Sequence, residues 1–243
     1  MAGHNKWAKV KRIKAVVDAR RGKIFSKLAR EVTVAAKIGG ADPRMNPRLR
    51  MVLLKCRAVN MPADNIDRAV KKGAGGGETA NFEDLTYEIY GPHGVAWLVE
   101  ITTDNRNRTA AEIRSIVTKN GGAIATPGSV SRLFQRKGQI IVSRKTDSEE
   151  KLMALALEAG ADDFKTDEEG FEILTEPAMF EAVHQKMENA GIQMESAEIT
   201  SLPTLAVPLS GAAVAAAGRL LDALEEHDDV KEVFTNADFP DTA

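Results

Sequence analysis

The chain has 243 residues, long enough for two or three compact units. Apolar residues make up 43% and charged residues 28%, and no run of eighteen apolar residues is present that could cross a bilayer. The single cysteine, Cys56, excludes an internal disulfide and a thiolate metal cluster.

The formal net charge of −2 hides an uneven distribution. Residues 1–80 hold 19 Lys and Arg against 6 Asp and Glu, a net of +13, while residues 81–243 hold 14 against 29, a net of −15. So much positive charge in eighty residues repels itself, and the split points to a polyanion as partner. The competing account is a solvated helical surface with no partner. The N-terminus enters charged residues at once, without the apolar core of a secretory signal, so a cytoplasmic protein with no membrane association is expected.

In chain order, the first twenty residues carry Trp7, Val10, Ile13 and Val17 on one helical face, interrupted by Lys14. This predicts an arm or frayed helix that orders on its partner. Ile24, Phe25, Leu28, Val32 and Ala35 recur at helical spacing, and Gly39-Gly40 ends that helix. Asn46 caps the next, with Pro47 in its first turn and Leu49, Val52, Leu53 and Cys56 as its apolar stripe. Cys56 on that stripe reads as a small buried hydrophobe. Pro62 opens a third helix through Ile66, Ala69 and Val70, which Gly73 ends. Gly73 to Gly77 follows a helix and lacks a Lys-Ser or Lys-Thr pair, so it reads as a hinge and not as a phosphate cradle.

From residue 82 the period changes to that of strands. Leu85, Tyr87 and Ile89 alternate, Gly91-Pro92-His93-Gly94 turns, and Val95, Trp97, Val99 and Ile101 alternate again. A helix with Ile113, Ile116 and Val117 follows, closed by Gly121-Gly122, and Val130–Phe134 reads as a strand. Then come a strand (Gln139–Ser143), a helix (Glu149–Ala159), a hairpin (Phe164–Thr166 and Phe171–Leu174), a helix (Met179–Asn189) and a strand (Ser196–Ser201). This βαββαβ order is the ferredoxin-like signature. The tail has one helix and one strand, which cannot bury their apolar faces alone and must join another sheet. The predicted architecture is multidomain α and α+β. It comprises a basic helical domain (1–80), a discontinuous α+β domain (81–137 with 204–243) and an inserted ferredoxin-like domain (138–203).

Catalytic patterns are missing from the sequence. His4, His93, His184 and His227 fall in four separate elements, and no zinc-protease, nucleophile-elbow or Walker pattern occurs. No catalytic residue, metal, cofactor or small-molecule substrate is expected. Acidic runs such as Asp167-Glu168-Glu169 and Glu225-Glu226 read as solvated surface. The first candidate for binding is the basic series Lys6, Lys9, Lys11, Arg12, Lys14, Arg20, Arg21, Lys23, Lys27 and Arg30. Trp7 is a stacking face or a core anchor, and Arg48 and Arg50 extend the positive field. The second is the stretch Thr102 to Thr109, between a strand and a helix start, with Asn105, Arg106, Asn107 and Arg108 as its candidate anion contacts. There backbone N–H groups favour an anion, and two arginines break the local charge rule. It reads as a grip on a phosphate or carboxylate, or as local pairing of Arg108 with Glu112 or Arg106 with Asp104. The third is the small-residue loop from Gly121 to Ser129, where a backbone could approach a ligand or simply connect two elements.

Several stretches together resemble the YebC/PmpR family. They are Ala2-Gly3-His4-Asn5-Lys6-Trp7, Arg20 to Lys27, Asn46-Pro47-Arg48-Leu49-Arg50, Asn60-Met61-Pro62, Tyr90-Gly91-Pro92, Thr103 to Thr109 and Gly128-Ser129-Val130. Ala125, Pro127 and His93 depart from the usual family residues. The resemblance implies a helical domain with two α+β domains, one inserted, and no cofactor or catalytic residue. It implies a DNA-binding transcriptional regulator or, alternatively, a ribosome-associated translation factor that binds ribosomal RNA and relieves stalling at proline-rich stretches. Its mitochondrial relatives include a translational activator of a cytochrome oxidase subunit. An enzyme using the arginine loop as an anion pocket is the weakest alternative.

Overall fold

The computed structural model describes residues 22–75 and 82–240. It is a mixed α+β protein, with N-terminal helices followed by two antiparallel four-stranded sheets and their helices. The chain divides into two compact units, one containing residues 134–202 and the other the remaining described residues.

In the larger unit, the described part of helix α1 is residues 22–39, α2 spans Pro47–Ala58 and α3 Ala63–Ala74. Leu28, Val32 and Ala35 of α1 bury against Leu49, Val52 and Cys56 of α2, with Met61 and Ala69 completing the core. Asn46 ties the first two helices together. Its Oδ1 accepts from Leu49 N at 3.0 Å, capping α2, and its Nδ2 donates to Ala35 O and Gly40 O, each at 2.8 Å. Gly73 does not end α3, which runs on to Ala74. It is buried where α3 crosses α1, and a Cβ there would lie 2.3 Å from Thr33 O.

Strand β1 is Glu83–Tyr90 and β2 is Ala96–Thr103; helix α4 spans Arg106–Lys119, and β3 is Ala123–Ile124. After the smaller unit the chain continues with β8 (Val207–Pro208), α7 (Ala212–Glu226), β9 (Val230–Thr235) and β10 (Ala237–Asp238). The sheet order is β3-β1-β2-β9, and β8 pairs with β10 in a separate ladder. One sheet face carries Ile89, Trp97, Val99 and Ile101, which pack on Ile113 and Val117 of α4 and on Leu220 and Leu224 of α7. Trp97 is fully buried, and Gly91 must lack a side chain because a Cβ would lie 2.4 Å from Trp97 Nε1.

Charged pairs tie the N-terminal helices to the sheet. Glu100 of β2 faces Glu232 of β9 in the ladder, a like-charged cross-strand pair that alone is destabilising. Lys55 of α2 reaches Glu232 at 2.6 Å, and Lys231 reaches Glu100 at 3.3 Å and Glu31 of α1 at 3.6 Å.

The smaller unit runs β4 (Phe134–Ser143), α5 (Glu149–Glu158), β5 (Asp163–Thr166), β6 (Gly170–Thr175), α6 (Phe180–Asn189) and β7 (Ser196–Pro203). The strand order is β5-β6-β4-β7. Val130–Phe134 is not the separate strand that its apolar residues suggest. Residues up to 130 form a turn, Ser131–Leu133 a 3-10 turn, and Phe134 opens the ten-residue β4 that continues through Gln139–Ser143. The amides of Val130 and Ser131 are already bound to the Glu88 carboxylate, at 2.6 and 2.8 Å, so they cannot enter a ladder.

Candidate nucleic-acid interface

Helix α1 is two-faced. Its apolar side enters the helical core, and Lys23, Ser26, Lys27 and Arg30 share the other side at i, i+3, i+4 and i+7. That side meets the corner where α7 ends and β9 begins. Lys27 Nζ donates to Glu225 O at 2.7 Å, Lys23 Nζ to Glu226 O, and Arg30 Nη1 to Asp228 O at 3.2 Å. These are carbonyls at and just past the end of α7, where partners within the helix run out and the dipole is negative. Lys23 also lies 3.5 Å from the Asp228 carboxylate. Burial first, and then the neighbouring Lys23 charge, push the Lys27 amine down to about 8.

Asp229 is the centre of the corner. Its side chain is only 5% exposed. Oδ1 accepts from Arg30 at 2.7 Å, and Oδ2 accepts from Arg108 at 2.8 Å, Thr109 at 2.7 Å and Thr103 at 3.1 Å. Burial by itself raises this carboxyl, but the hydrogen bonds from Thr109, Arg108, Arg30 and Thr103 outweigh it and hold it at about 2. The basic helix and the arginine loop, two separate signals in the sequence, therefore meet at one carboxylate.

The other predicted residues have varied placements. Lys6, Trp7, Lys9, Lys11, Arg12, Lys14, Arg20 and Arg21, with the proposed arm, lie outside the described residues. Arg48 binds Asp84 at 2.6 Å, and Arg50 donates to Pro43 O at 2.6 Å and Arg44 O at 2.9 Å. Asn105 caps α4, its side chain accepting from Arg108 N at 3.1 Å. Arg108 pairs with Asp104 at 2.9 Å as well as with Asp229, and lies 4.0 Å from Glu112. Arg106 and Asn107 are exposed on the first turn of α4, and Arg106 forms no ion pair among the described residues. Cys56 is fully buried, and burial lifts its thiol to about 11, as suits an inert core residue.

The small-residue loop also holds an anion of this chain. The Glu88 carboxylate accepts from Gly128 N at 2.7 Å as well as from Val130 N and Ser131 N. Burial opposes ionisation of Glu88, but these backbone donors prevail and lower its carboxyl. Thr103 and Thr109 lie in the stretch the sequence singles out around the two arginines, but no motif marks Asp229 or Glu88 as a member of these sites. Only the acidic stretch after α7, opposite in sign to the basic helix, hints at the first.

One metal-like cluster exists among the described residues, formed by Glu112, His227 and Asp229, whose ligand atoms lie within 4.8 Å of one another. His227 Nδ1 accepts from Asp229 N at 3.1 Å, which assigns the proton to Nε2, and Nε2 faces Glu112 Oε2 at 2.9 Å. Both Asp229 oxygens are already bound by guanidinium groups, so a cation would have to displace two arginine contacts. No helix of the described residues is long and apolar enough to cross a membrane.

Residues 5–76 match the TACO1/YebC protein N-terminal domain, and residues 82–237 match the TACO1/YebC second and third domain. A probable transcriptional regulatory protein of Opitutus terrae is 53% identical over 97% of this chain and 96% of its own length. Another, from Geobacter sulfurreducens, is 52% identical over 98% and 96%. These names describe regulators and not enzymes. The crystal structure of a conserved hypothetical protein from Aquifex aeolicus superposes with a TM-score of 0.81 at 46% identity, covering 93% of each chain. The chain belongs to the TACO1/YebC family.

Proposed function

We propose that this protein is a non-enzymatic nucleic-acid-binding regulator of gene expression, acting as a DNA-binding transcriptional regulator through its N-terminal helices. The carrying observation is the convergence of Lys23, Lys27 and Arg30 on one face of α1, where they line one cleft. Exposed Arg57, Lys71 and Lys72 on α2 and α3 add positive charge to the same helical module. Lys and Arg bind phosphates by releasing counterions and give affinity without sequence choice. The names of the relatives support transcription.

In this reading residues 1–80 are the binding domain. Residues 81–137 with 204–243 form a discontinuous α+β domain, and 138–203 form an inserted ferredoxin-like domain, a reading supported by the β5-β6-β4-β7 order. A ribosome-associated role on ribosomal RNA is the second reading. Glu226 and Asp228 are exposed beside the α1 cations, so a long duplex tracking that face would meet like charge. A single docked end suits such a surface better. Crosslinking in cells, with sequencing of both bound DNA and bound RNA, tests the two. Enrichment at promoters supports the transcriptional reading, and enrichment on ribosomal RNA alone replaces it with the second. Absence of both removes nucleic-acid binding altogether.

A further inference from the structure

Between α1 and the corner after α7 lies a cleft of about 210 Å³ lined by Gly22, Lys23, Ser26, Lys27, Arg30 and Asp228. We propose that this cleft is a seat for a single phosphate group, held by Lys23, Lys27 and Arg30 with the Ser26 hydroxyl beside them. The inference rests on the nucleic-acid reading above and deepens it, because it names one phosphate position.

Three features carry it. First, the three cations come from one helix face at i, i+4 and i+7, so their spacing is set by α1 itself. Second, their contacts to Glu225 O and Glu226 O use one donor each of Lys27 and Lys23. An ammonium has three donors, so the geometry leaves hydrogen-bonding capacity for an oxyanion. Third, Lys27 is a partly desolvated amine. Lys27 is faced by Lys23 and Arg30 from α1 and by Glu225 and Asp228 from the corner, and burial with Lys23 repulsion outweighs the two carboxylates. Among these groups Arg30 meets Asp229 through Nη1, and Asp228 is mostly exposed. A bound oxyanion would add negative charge beside this desolvated amine.

This arrangement has a signature that mere surface charge lacks. Near pH 8 the Lys27 amine is part neutral in the free protein. Binding an anion favours its protonated form, so binding takes up roughly half a proton per site at that pH. Neither sulfate nor a phosphodiester titrates there, so any uptake belongs to the protein.

The test is calorimetry on the full chain at pH 8, in buffers of different ionisation enthalpy, with sulfate and with a short oligonucleotide as separate probes. Ser26→Glu places a carboxylate in the cleft while keeping the lysine bonds to α7, and Lys27→Arg keeps the charge but cannot titrate. The expected result is that both probes bind with proton uptake and that Ser26→Glu weakens both about tenfold or more. Lys27→Arg loses the proton uptake, whatever affinity it keeps. The oligonucleotide salt slope falls by about 0.9 in Ser26→Glu, the value for one phosphate no longer neutralised by the protein. Sulfate behaving this way without oligonucleotide binding keeps the seat, assigns it to a free oxyanion, and defeats the nucleic-acid reading. Oligonucleotide binding that ignores Ser26→Glu, together with no proton uptake for either probe, overturns the seat and leaves that reading standing. Circular dichroism melts of each variant confirm that the fold is retained.

Discussion

Arg108 and Asp229, 121 residues apart in the chain, meet at 2.8 Å, and Asp229 holds Arg30 at 2.7 Å on its other oxygen. One buried carboxylate therefore joins α1, the start of α4 and the start of β9. Part of the positive charge of the N-terminal third is answered inside the molecule, by the acidic two-thirds of the same chain. This does not abolish a polyanion partner, but it narrows where one can bind. Asp84 and Glu232 have taken Arg48 and Lys55, and at the corner what is left for a phosphate is the donor capacity that Lys23 and Lys27 keep beyond their bonds to α7.

Replacing Asp229 by Asn should destabilise the fold in a pH-dependent way. The folded carboxyl sits near 2, below the ordinary unfolded value of about 3.9. A depressed folded value gives stability that is present above the unfolded pKa and lost as pH falls through the folded one. The charge is therefore worth about 2 kcal/mol at neutral pH and little at pH 2. Urea unfolding of wild type and Asp229→Asn should show a gap at pH 7 that closes between pH 4 and pH 2. A gap independent of pH would mean that packing, and not the charge, is what Asp229 contributes.

At Asp229 folding favours the ionised form, whereas it disfavours that of Lys27. Its folded value of about 8 lies below the unfolded lysine value of about 10.4. The unfolded chain binds more protons between those values, so stability rises with pH across that window. Below pH 8 the burial of a charged amine costs roughly 3 kcal/mol at most. Lys27→Met removes this titration. Relative to the variant, wild type should gain stability steadily from pH 8 to pH 10. Parallel stability curves over that range would refute the buried amine.

Glu88 holds the turn at 128–131 through three backbone amides, so Glu88→Gln should loosen it locally. A carboxamide offers one acceptor oxygen where the carboxylate offers two, and it carries no charge. Hydrogen exchange at Gly128, Val130 and Ser131 should accelerate, while the amides of β2, in the sheet core, keep their protection. Uniform acceleration throughout the sheet would instead make Glu88 a global stability residue.

What is legible in the sequence and what is not divides along chain distance. The Asn46 cap, the apolar stripes of α1 and α2 and the alternation in β1 and β2 are local patterns, written within a turn or a few residues. The partners of the two candidate anion grips are not local. Asp229 lies 121 residues from Arg108, and Glu88 lies 40 from Gly128. No period encodes such a pairing. Local composition marks both places as able to hold an anion, but it does not reveal that the anions holding them belong to this chain. Val130–Phe134 fails for a related reason, because a distant carboxylate takes the amides that a strand would use. Ladders of two residues, such as β3 and β8, depend wholly on their neighbours. Gly73 shows the same limit in packing, since it reads as a helix stop and is a crossing point.

That crossing gives a direct packing test. A methyl at position 73 would stand 2.3 Å from Thr33 O and 2.8 Å from the Ala36 side chain. Backbone cannot yield as a flexible side chain can, so Gly73→Ala should cost about 1–3 kcal/mol by overpacking. This exceeds the stabilisation of up to about 1 kcal/mol that an alanine brings to an exposed helix position. Guanidinium unfolding reads the sign. A stabilised variant would show that α3 does not press on α1 as closely as the geometry states.

The two arginines of the loop after β2 should separate cleanly. Arg108 is tied to Asp229 and Asp104, whereas Arg106 stands exposed on the first turn of α4 with no ion pair among the described residues. A cation at a helix start is locally unfavourable, so Arg106 contributes nothing to α4 that alanine would not. If it serves the nucleic-acid partner, Arg106→Ala should leave the unfolding midpoint unchanged, weaken oligonucleotide binding and lower the salt slope by about one. Arg108→Ala should lower the unfolding midpoint first, because it leaves Asp229 with one guanidinium fewer, and alter binding only through that change. Measuring melts and salt-dependent binding on both variants decides the matter. Equal effects of the two substitutions on stability would deny the division of labour, and a salt slope indifferent to Arg106 would place the phosphate contacts elsewhere on the chain.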